Sequence, residues 1–190
     1  LRELARPRRP EERTLLGERR TPAQPVICPP ATALAALQQA LRGCAELGAQ
    51  DVSEADEGAH TGELAPRHLV DAGARYAIVG HSERRQAGES DAVCRTKIRT
   101  ALRGGLLPIL CVGETREERD GGRAEAVVTD QIRASLDGLL PNAIRSLVVA
   151  YEPRWAIGTG LVPKPRDVTE MLAHIRGVLG RVAPTETAQS

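Results

Sequence analysis

The chain has 190 residues and a formal net charge of +1, with 41% hydrophobic and 27% charged residues. This is typical of one globular domain with a sizeable core. The small net charge gives no support to a role in binding nucleic acid or a membrane surface. No apolar stretch approaches the roughly 20 residues of a membrane span. The sequence also has no apolar segment after a basic start, which is the pattern that would predict a signal peptide.

The four cysteines, at positions 28, 44, 94 and 111, include no C-x-x-C pair. Their wide, irregular spacing fits neither a zinc site nor a disulfide framework. We therefore expect buried thiols in a reducing, cytoplasmic environment. The sequence predicts no metal and no cofactor.

Residues 1–25 differ in composition from the rest of the chain. They contain seven Arg, four Glu and four Pro, with little apolar periodicity. Such a segment is typical of a solvated, disordered tail. We predict a tail over residues 1–25, a domain over residues 26–180 and a second tail over residues 181–190.

From residue 26 onward, short apolar runs alternate with segments of helical periodicity. This alternation is typical of βαβ units around a parallel sheet, and so of an α/β fold. The predicted strands are 26–28, 47–52, 76–79, 108–112 and 147–151. The predicted helices are 32–42, a brief helix around residues 68–70 that ends at Gly73, 90–103, 122–138 and 167–179.

In parallel α/β folds the active site gathers at the carboxyl ends of the strands. Residues 80–85 follow the third predicted strand, residues 113–114 the fourth and residues 152–160 the fifth. These three segments are therefore the places to look for chemistry.

Two titratable residues in these segments suit proton transfer. His81 lies between a strand end and a helix start, where the positive helix end favours neutral imidazole. Glu152 ends the most apolar strand, and desolvation there makes a carboxylate a better proton acceptor. Each residue alone is equally compatible with a structural role. With the Gly158–Gly160 segment as an anion loop, they suggest proton shuttling on a small phosphorylated carbonyl compound.

Several longer stretches resemble the triosephosphate isomerase family. The similarity covers about residues 26–180 and lies in motifs that follow one another in order. They are Ile27–Pro30 (ICPP), Gly48–Val52 (GAQDV), Gly58–Glu63 (GAHTGE), Tyr76–Arg85 (YAIVGHSERR), Pro108–Glu114 (PILCVGE) and Ala150–Gly160 (AYEPRWAIGTG).

The resemblance implies a partial (β/α)8 barrel of about five βα units, without the first and the last two strands. It also implies an isomerase of glyceraldehyde 3-phosphate and dihydroxyacetone phosphate, in glycolysis and gluconeogenesis. As is established for that family, Glu152 would be the base and neutral His81 the group that polarises the carbonyl.

Four further residues receive roles from the same resemblance. Gly158 would donate its backbone N–H to the substrate phosphate as a lid closes. Glu83 and Ser82 would support the site beside His81. Thr61 would reach into the partner subunit of a homodimer.

The chain also departs from the family's pattern. Nothing in residues 1–25 matches the Asn-x-Lys motif of the first strand, and the only lysines are Lys97 and Lys164. Arg154 replaces a small apolar residue at one lid hinge, and Pro163 would stiffen the other. Two alternatives therefore stay open: a catalytically inactive remnant or gene fragment, and an isomerase of a related phosphosugar such as a tetrulose phosphate.

Overall fold

A computed structural model of the chain describes residues 24–183. Within them a single parallel sheet contains five strands in the order β1-β2-β3-β4-β5. The strands are Val26–Ile27, Glu46–Ala49, Tyr76–Val79, Leu107–Val112 and Val148–Tyr151. Because each strand pairs with the next along the chain, every βα unit lies beside its successor and the sheet curls into half of a barrel. The predicted α/β fold with a parallel sheet is confirmed.

Eight α-helices occupy the described residues, together with one 3-10 turn at Ala31–Ala33. In chain order they are α1 (Leu34–Ala40), α2 (Pro66–Asp71), α3 (Ser82–Gln86), α4 (Asp91–Arg103), α5 (Arg116–Asp120), α6 (Ala124–Leu136), α7 (Pro141–Arg145) and α8 (Pro165–Val182). The five predicted helices are present. The expectation of about five helices was nevertheless too low, because α3, α5 and α7 are single turns of five residues each.

Helix capping explains two of the boundaries. The Ser90 side chain accepts the Val93 N–H at 3.3 Å and so begins α4. Thr115 and Glu118 form a capping box at the start of α5, in which each side chain accepts the other's backbone N–H. Such caps supply hydrogen-bond acceptors to the first backbone N–H groups of a helix, which have no acceptor within the helix.

The core lies between the sheet and the helices that cover it. Its largest fully buried apolar side chains are aliphatic, in keeping with a sequence that has no Phe: Leu34, Leu69, Ile98, Leu106, Leu110, Ile132, Leu136, Val52, Val79, Val112 and Val128. Cys94 and Cys111 are buried as expected, whereas Cys28 is half-buried. The expectation was wrong for Cys44, which is exposed because it lies in the turn between α1 and β2.

The predicted tails fall mostly outside the described residues. Residues 1–23 and 184–190 lie beyond them, and α8 continues to Val182, two residues past the predicted end of the domain. None of the helices in residues 24–183 has the length and apolar character needed to cross a membrane.

Candidate active site

The strand register brings the three predicted segments to one edge of the sheet. Val79 of β3 lies opposite Leu110 of β4, and Val112 of β4 lies opposite Tyr151 of β5. Gly80 then turns the chain out of β3 with φ +73°, a left-handed conformation that residues with a β-carbon rarely adopt. The residues after β3, β4 and β5 are therefore neighbours.

His81 and Glu152 meet at this edge. Nε2 of His81 lies 3.4 Å from Oε1 of Glu152. Nδ1 of His81 accepts the backbone N–H of Glu83 at 3.3 Å, because His81 is the N-cap of α3. In a neutral imidazole one nitrogen accepts and the other donates. The proton of neutral His81 therefore lies on Nε2, directed toward the Glu152 carboxylate.

Glu152 is fixed at both ends. Its backbone N–H donates to the Val112 carbonyl at 2.8 Å, which continues the strand pairing by one residue. Its Oε2 accepts the Ser82 backbone N–H at 3.2 Å. The side chains of Glu152 and His81 are 21% and 30% exposed, so each is partly shielded yet still open to a ligand.

The structure separates the other predicted site residues into two groups. Ser82 is buried and Glu83 is exposed, and both lie beside His81; Oε2 of Glu83 is 3.8 Å from Nδ1 of His81. Gly158, with φ +71°, lies in the exposed segment after β5. Thr61 lies in an exposed turn between β2 and α2. Among the described residues no hydrogen bond joins Thr61 or Gly158 to the His81–Glu152 pair.

Comparison with known proteins shows the family to which the chain belongs. The family model described as triosephosphate isomerase matches residues 11–190. The chain belongs to the triosephosphate isomerase family. This match includes residues 11–25, which the sequence alone assigns to a tail.

Individual relatives show how much of a triosephosphate isomerase the chain represents. It is 52% identical to that of Symbiobacterium thermophilum over 165 residues, covering 86% of this chain and 64% of the relative. It is 48% identical to that of Herpetosiphon aurantiacus, covering 87% and 67%. The crystal structure of the Bartonella henselae enzyme superposes with a TM-score of 0.73 and 38% identity, covering 83% and 64%. The chain thus spans about two thirds of the length of the relatives it matches, as a partial barrel of this family.

Sequence reasoning missed the role of Glu114 at the base of the segment that resembles the triosephosphate isomerase lid. Glu114 is fully buried and its carboxylate accepts from Tyr151 Oη at 3.0 Å, Trp155 Nε1 at 2.8 Å and Arg119 Nη1 at 3.0 Å. Cζ of Arg119 also lies 4.9 Å from the centroid of the Trp155 ring. Nη2 of Arg119 pairs with Oδ2 of Asp167 in α8 at 2.8 Å. The position of Glu114 at a strand end was the available signal, but its partners come from three other segments.

Cys111 is a second unpredicted neighbour of the candidate base. Burial raises the pKa of its thiol, and the nearby Glu152 carboxylate raises it further. The thiol therefore stays protonated at neutral pH and can donate to that carboxylate.

Lys97 does not supply the cation that the family's first strand normally provides. Its Nζ donates to Asp51 and to Glu89 at 2.7 Å each, and its side chain is 4% exposed. Arg84 pairs with the same two carboxylates at 3.0 Å. Oε1 of Glu89 also accepts the Gly80 N–H at 2.8 Å. This buried network therefore supports the turn that leads to His81, and it uses Lys97 to neutralise Asp51 and Glu89.

The described residues contain no group of three His, Cys, Asp or Glu side chains placed to hold a metal.

We expect Gly113→Ala to displace Glu152 and to destabilise the chain by about 1–3 kcal/mol, as overpacking in a well-packed core typically does. An added β-carbon at Gly113 would overlap the backbone carbonyl of Glu152. The Gln131 side chain holds both the N–H and the C=O of Gly113, at 2.9 and 3.1 Å, so the glycine cannot move away easily. Urea unfolding monitored by circular dichroism measures the change.

Gly180→Ala is the matched control for this substitution. Gly180 lies in α8 and an added β-carbon meets nothing within 4 Å. Alanine there should stabilise the chain by about 0.5–1 kcal/mol, because glycine is a poor helix former. Equal effects of the two substitutions would show that the close approach of Gly113 to Glu152 is unimportant.

Proposed function

We propose that the protein is a triosephosphate isomerase, which interconverts D-glyceraldehyde 3-phosphate and dihydroxyacetone phosphate by proton transfer. One observation carries the proposal: Nε2 of His81 faces the Glu152 carboxylate at 3.4 Å, while Nδ1 is occupied by the Glu83 N–H. A base and a neutral hydrogen-bond donor are thus held together at the carboxyl edge of the sheet, which is where such folds do chemistry.

The reaction needs a base that works on one face of the substrate. In dihydroxyacetone phosphate the Glu152 carboxylate takes a proton from C1, and the C–H electron pair forms the C1–C2 double bond of an enediolate. The Nε2–H of His81 donates to the C2 oxygen, where negative charge develops. His81 moves a proton between the two oxygens, and Glu152 returns its proton to C2. The product carries an aldehyde at C1, and no atom is gained or lost.

The remaining roles follow the geometry around this pair. Ser82 positions Glu152 through its backbone N–H, and Glu83 fixes the tautomer of His81 through its own. Gly158 supplies an exposed backbone N–H for the substrate phosphate, on a segment anchored at its base by the hydrogen bond from Trp155 to Glu114. Closure of that segment would exclude water during the reaction.

We assign Thr61 and the loop 58–63 to a homodimer contact, in a cytoplasmic enzyme. All of this loop is exposed among the described residues, as a surface covered by a second subunit would be in an isolated chain. Cross-linking or sedimentation velocity measures the state of assembly.

A second candidate is an inactive member of the family. The observation that favours it is that Lys97 is already paired with Asp51 and Glu89. The only other lysine of the sequence is Lys164, which is exposed and lies beyond the lid segment. Without a cation at the site the negative charge of a phosphorylated substrate would be poorly balanced.

A coupled isomerase assay of the purified chain with glyceraldehyde 3-phosphate decides between the two. We expect turnover that falls by at least about 10²-fold when Glu152 is replaced by Gln, which excludes a contaminating enzyme. A tetrulose phosphate serves as the competing substrate, and preference for it would assign the site to a related phosphosugar. Absence of turnover with both substrates from folded protein would establish the inactive reading.

A further inference from the structure

A separate cavity of about 300 Å³ lies at the base of the segment that follows β5. Its walls come from Gln86 at the end of α3, from Thr115 and Arg116 at the start of α5, and from four residues after β5, namely Arg154, Trp155, Thr159 and Leu161. Neither His81 nor Glu152 nor Gly158 lines it. Its volume lies at the lower end of the range for small-ligand sites, about 300–1,000 Å³.

The cavity is positively charged. Arg116 and Arg154 line it, and none of the residues that line it is acidic. Within residues 24–183, Nε of Arg154 is buried and has no hydrogen-bond partner. A buried guanidinium N–H without an acceptor is unfavourable unless a ligand or water supplies one. Among the described residues the Arg154 side chain makes no hydrogen bond or ion pair, so its guanidinium, which lines the cavity, is available to an anion there.

The second arginine can act with the first. Nε of Arg116 donates to Asp120 at 2.7 Å, and its other donors lie on the terminal nitrogens of the guanidinium. Thr115 accepts the Glu118 N–H at 3.3 Å through its hydroxyl oxygen, so its O–H proton can be directed to a ligand. Guanidinium and hydroxyl donors together suit a tetrahedral oxyanion, which accepts several charge-assisted hydrogen bonds.

We propose that this cavity binds a small phosphate-type anion, held between Arg154 and Arg116. The anion is either free inorganic phosphate or the phosphoryl group of a small metabolite. Because Arg154 belongs to the segment after β5 and Arg116 to the body of the domain, the bound anion ties the two together. The site is distinct from the one proposed for the substrate phosphate at Gly158, and binding there does not require isomerase activity.

Trp155 offers a direct probe, since it is the only tryptophan of the sequence and lines the cavity. Phosphate is titrated into the chain at constant ionic strength, held with chloride, and Trp155 fluorescence is recorded; isothermal calorimetry confirms the affinity. We expect a saturable response with one site at this cavity. Arg116→Ala and Arg154→Gln should each weaken it about tenfold or more, as expected when a hydrogen bond to a charged group is lost.

Arg166→Ala is the matched control. Like Arg116, Arg166 is exposed and pairs with an acidic residue four positions later, Glu170, at 2.7 Å, but it does not line the cavity. Its replacement should leave the phosphate affinity unchanged. Arg116→Lys, which keeps the charge but not the planar fork, should give an intermediate loss. Because Arg116 is 57% exposed, neither of its variants should affect folding, which circular dichroism checks.

Two results would overturn the proposal. One is the absence of a saturable response from folded protein. The other is a response that Arg116→Ala and Arg154→Gln leave unchanged, since the anion would then bind elsewhere, for example at Gly158. Repeating the titration with glycerol 2-phosphate shows whether the natural anion is free phosphate or the phosphoryl group of a metabolite. Similar affinity supports a phosphoryl site for metabolites, whereas loss of binding supports a site for free phosphate.

Discussion

Replacing Glu152 by Gln is expected to lower kcat for triose phosphate interconversion by about 10²–10⁴-fold, the usual contribution of a positioned general base. Glutamine has nearly the same shape, and its amide oxygen can still accept the Ser82 N–H that holds Oε2 at 3.2 Å. It cannot take a proton from C1. The loss should therefore appear in kcat, with KM little changed.

Glu117→Gln is the control for this measurement, because Glu117 is an exposed carboxylate in the first turn of α5 and lies outside the site. Its kcat should match that of the parent chain. If Glu152→Gln retained the parent rate within the scatter of the assay, another group would take the proton and the role assigned to Glu152 would be wrong.

The strands were predictable because each is a short apolar run that the fold buries. Tyr76–Val79 matched its predicted bounds, and β1, β4 and β5 lie within one residue of theirs. The second strand, Glu46–Ala49, ends three residues before its predicted end at residue 52. The rule that parallel strands end at one edge then sufficed to bring His81 and Glu152 together. Their separation and the tautomer of His81 depend on the N-cap geometry of α3, which apolar periodicity does not encode.

The three short helices show where periodicity fails. A helix of five residues such as α5 contains too few turns for an apolar stripe. The capping box of Thr115 and Glu118 was the usable signal, since Glu three positions after Thr is visible in the sequence. For α7 the signal was Pro141, which suits the first turn of a helix.

The polar partners that are distant in the sequence were unpredictable for a different reason. Lys97 and Asp51 are 46 residues apart in the chain, and Tyr151 and Glu114 are 37 residues apart. Such pairs depend on the curl of the sheet and on side-chain directions. Lys97, in the middle of an amphipathic helix, is unremarkable by sequence and becomes central once α4 is packed.

Replacing Lys97 by Met is expected to destabilise the chain by about 3–5 kcal/mol at pH 7, the range for breaking a buried ion pair by removing one partner. Methionine keeps most of the length of the side chain but leaves Glu89, which is 3% exposed, with Arg84 as its only cationic partner among the described residues. The free energy of unfolding is measured by urea titration. Arg103→Met, on the same helix, breaks an exposed pair with Asp56 and should cost less than about 1 kcal/mol.

The pH dependence separates this ionic effect from a packing effect. Burial opposes ionisation of Glu89, but Lys97, Arg84 and the Gly80 N–H outweigh it and hold the pKa of Glu89 below its ordinary value of 4.5. A lowered pKa in the folded state stabilises the fold above the unfolded value and loses that contribution as pH falls through the folded value. The parent chain should therefore lose stability below about pH 4.5. Because Lys97→Met removes part of that lowering, the difference between the two chains should narrow in acid. A difference independent of pH would instead mean that the lysine acts through the packing of its aliphatic stem.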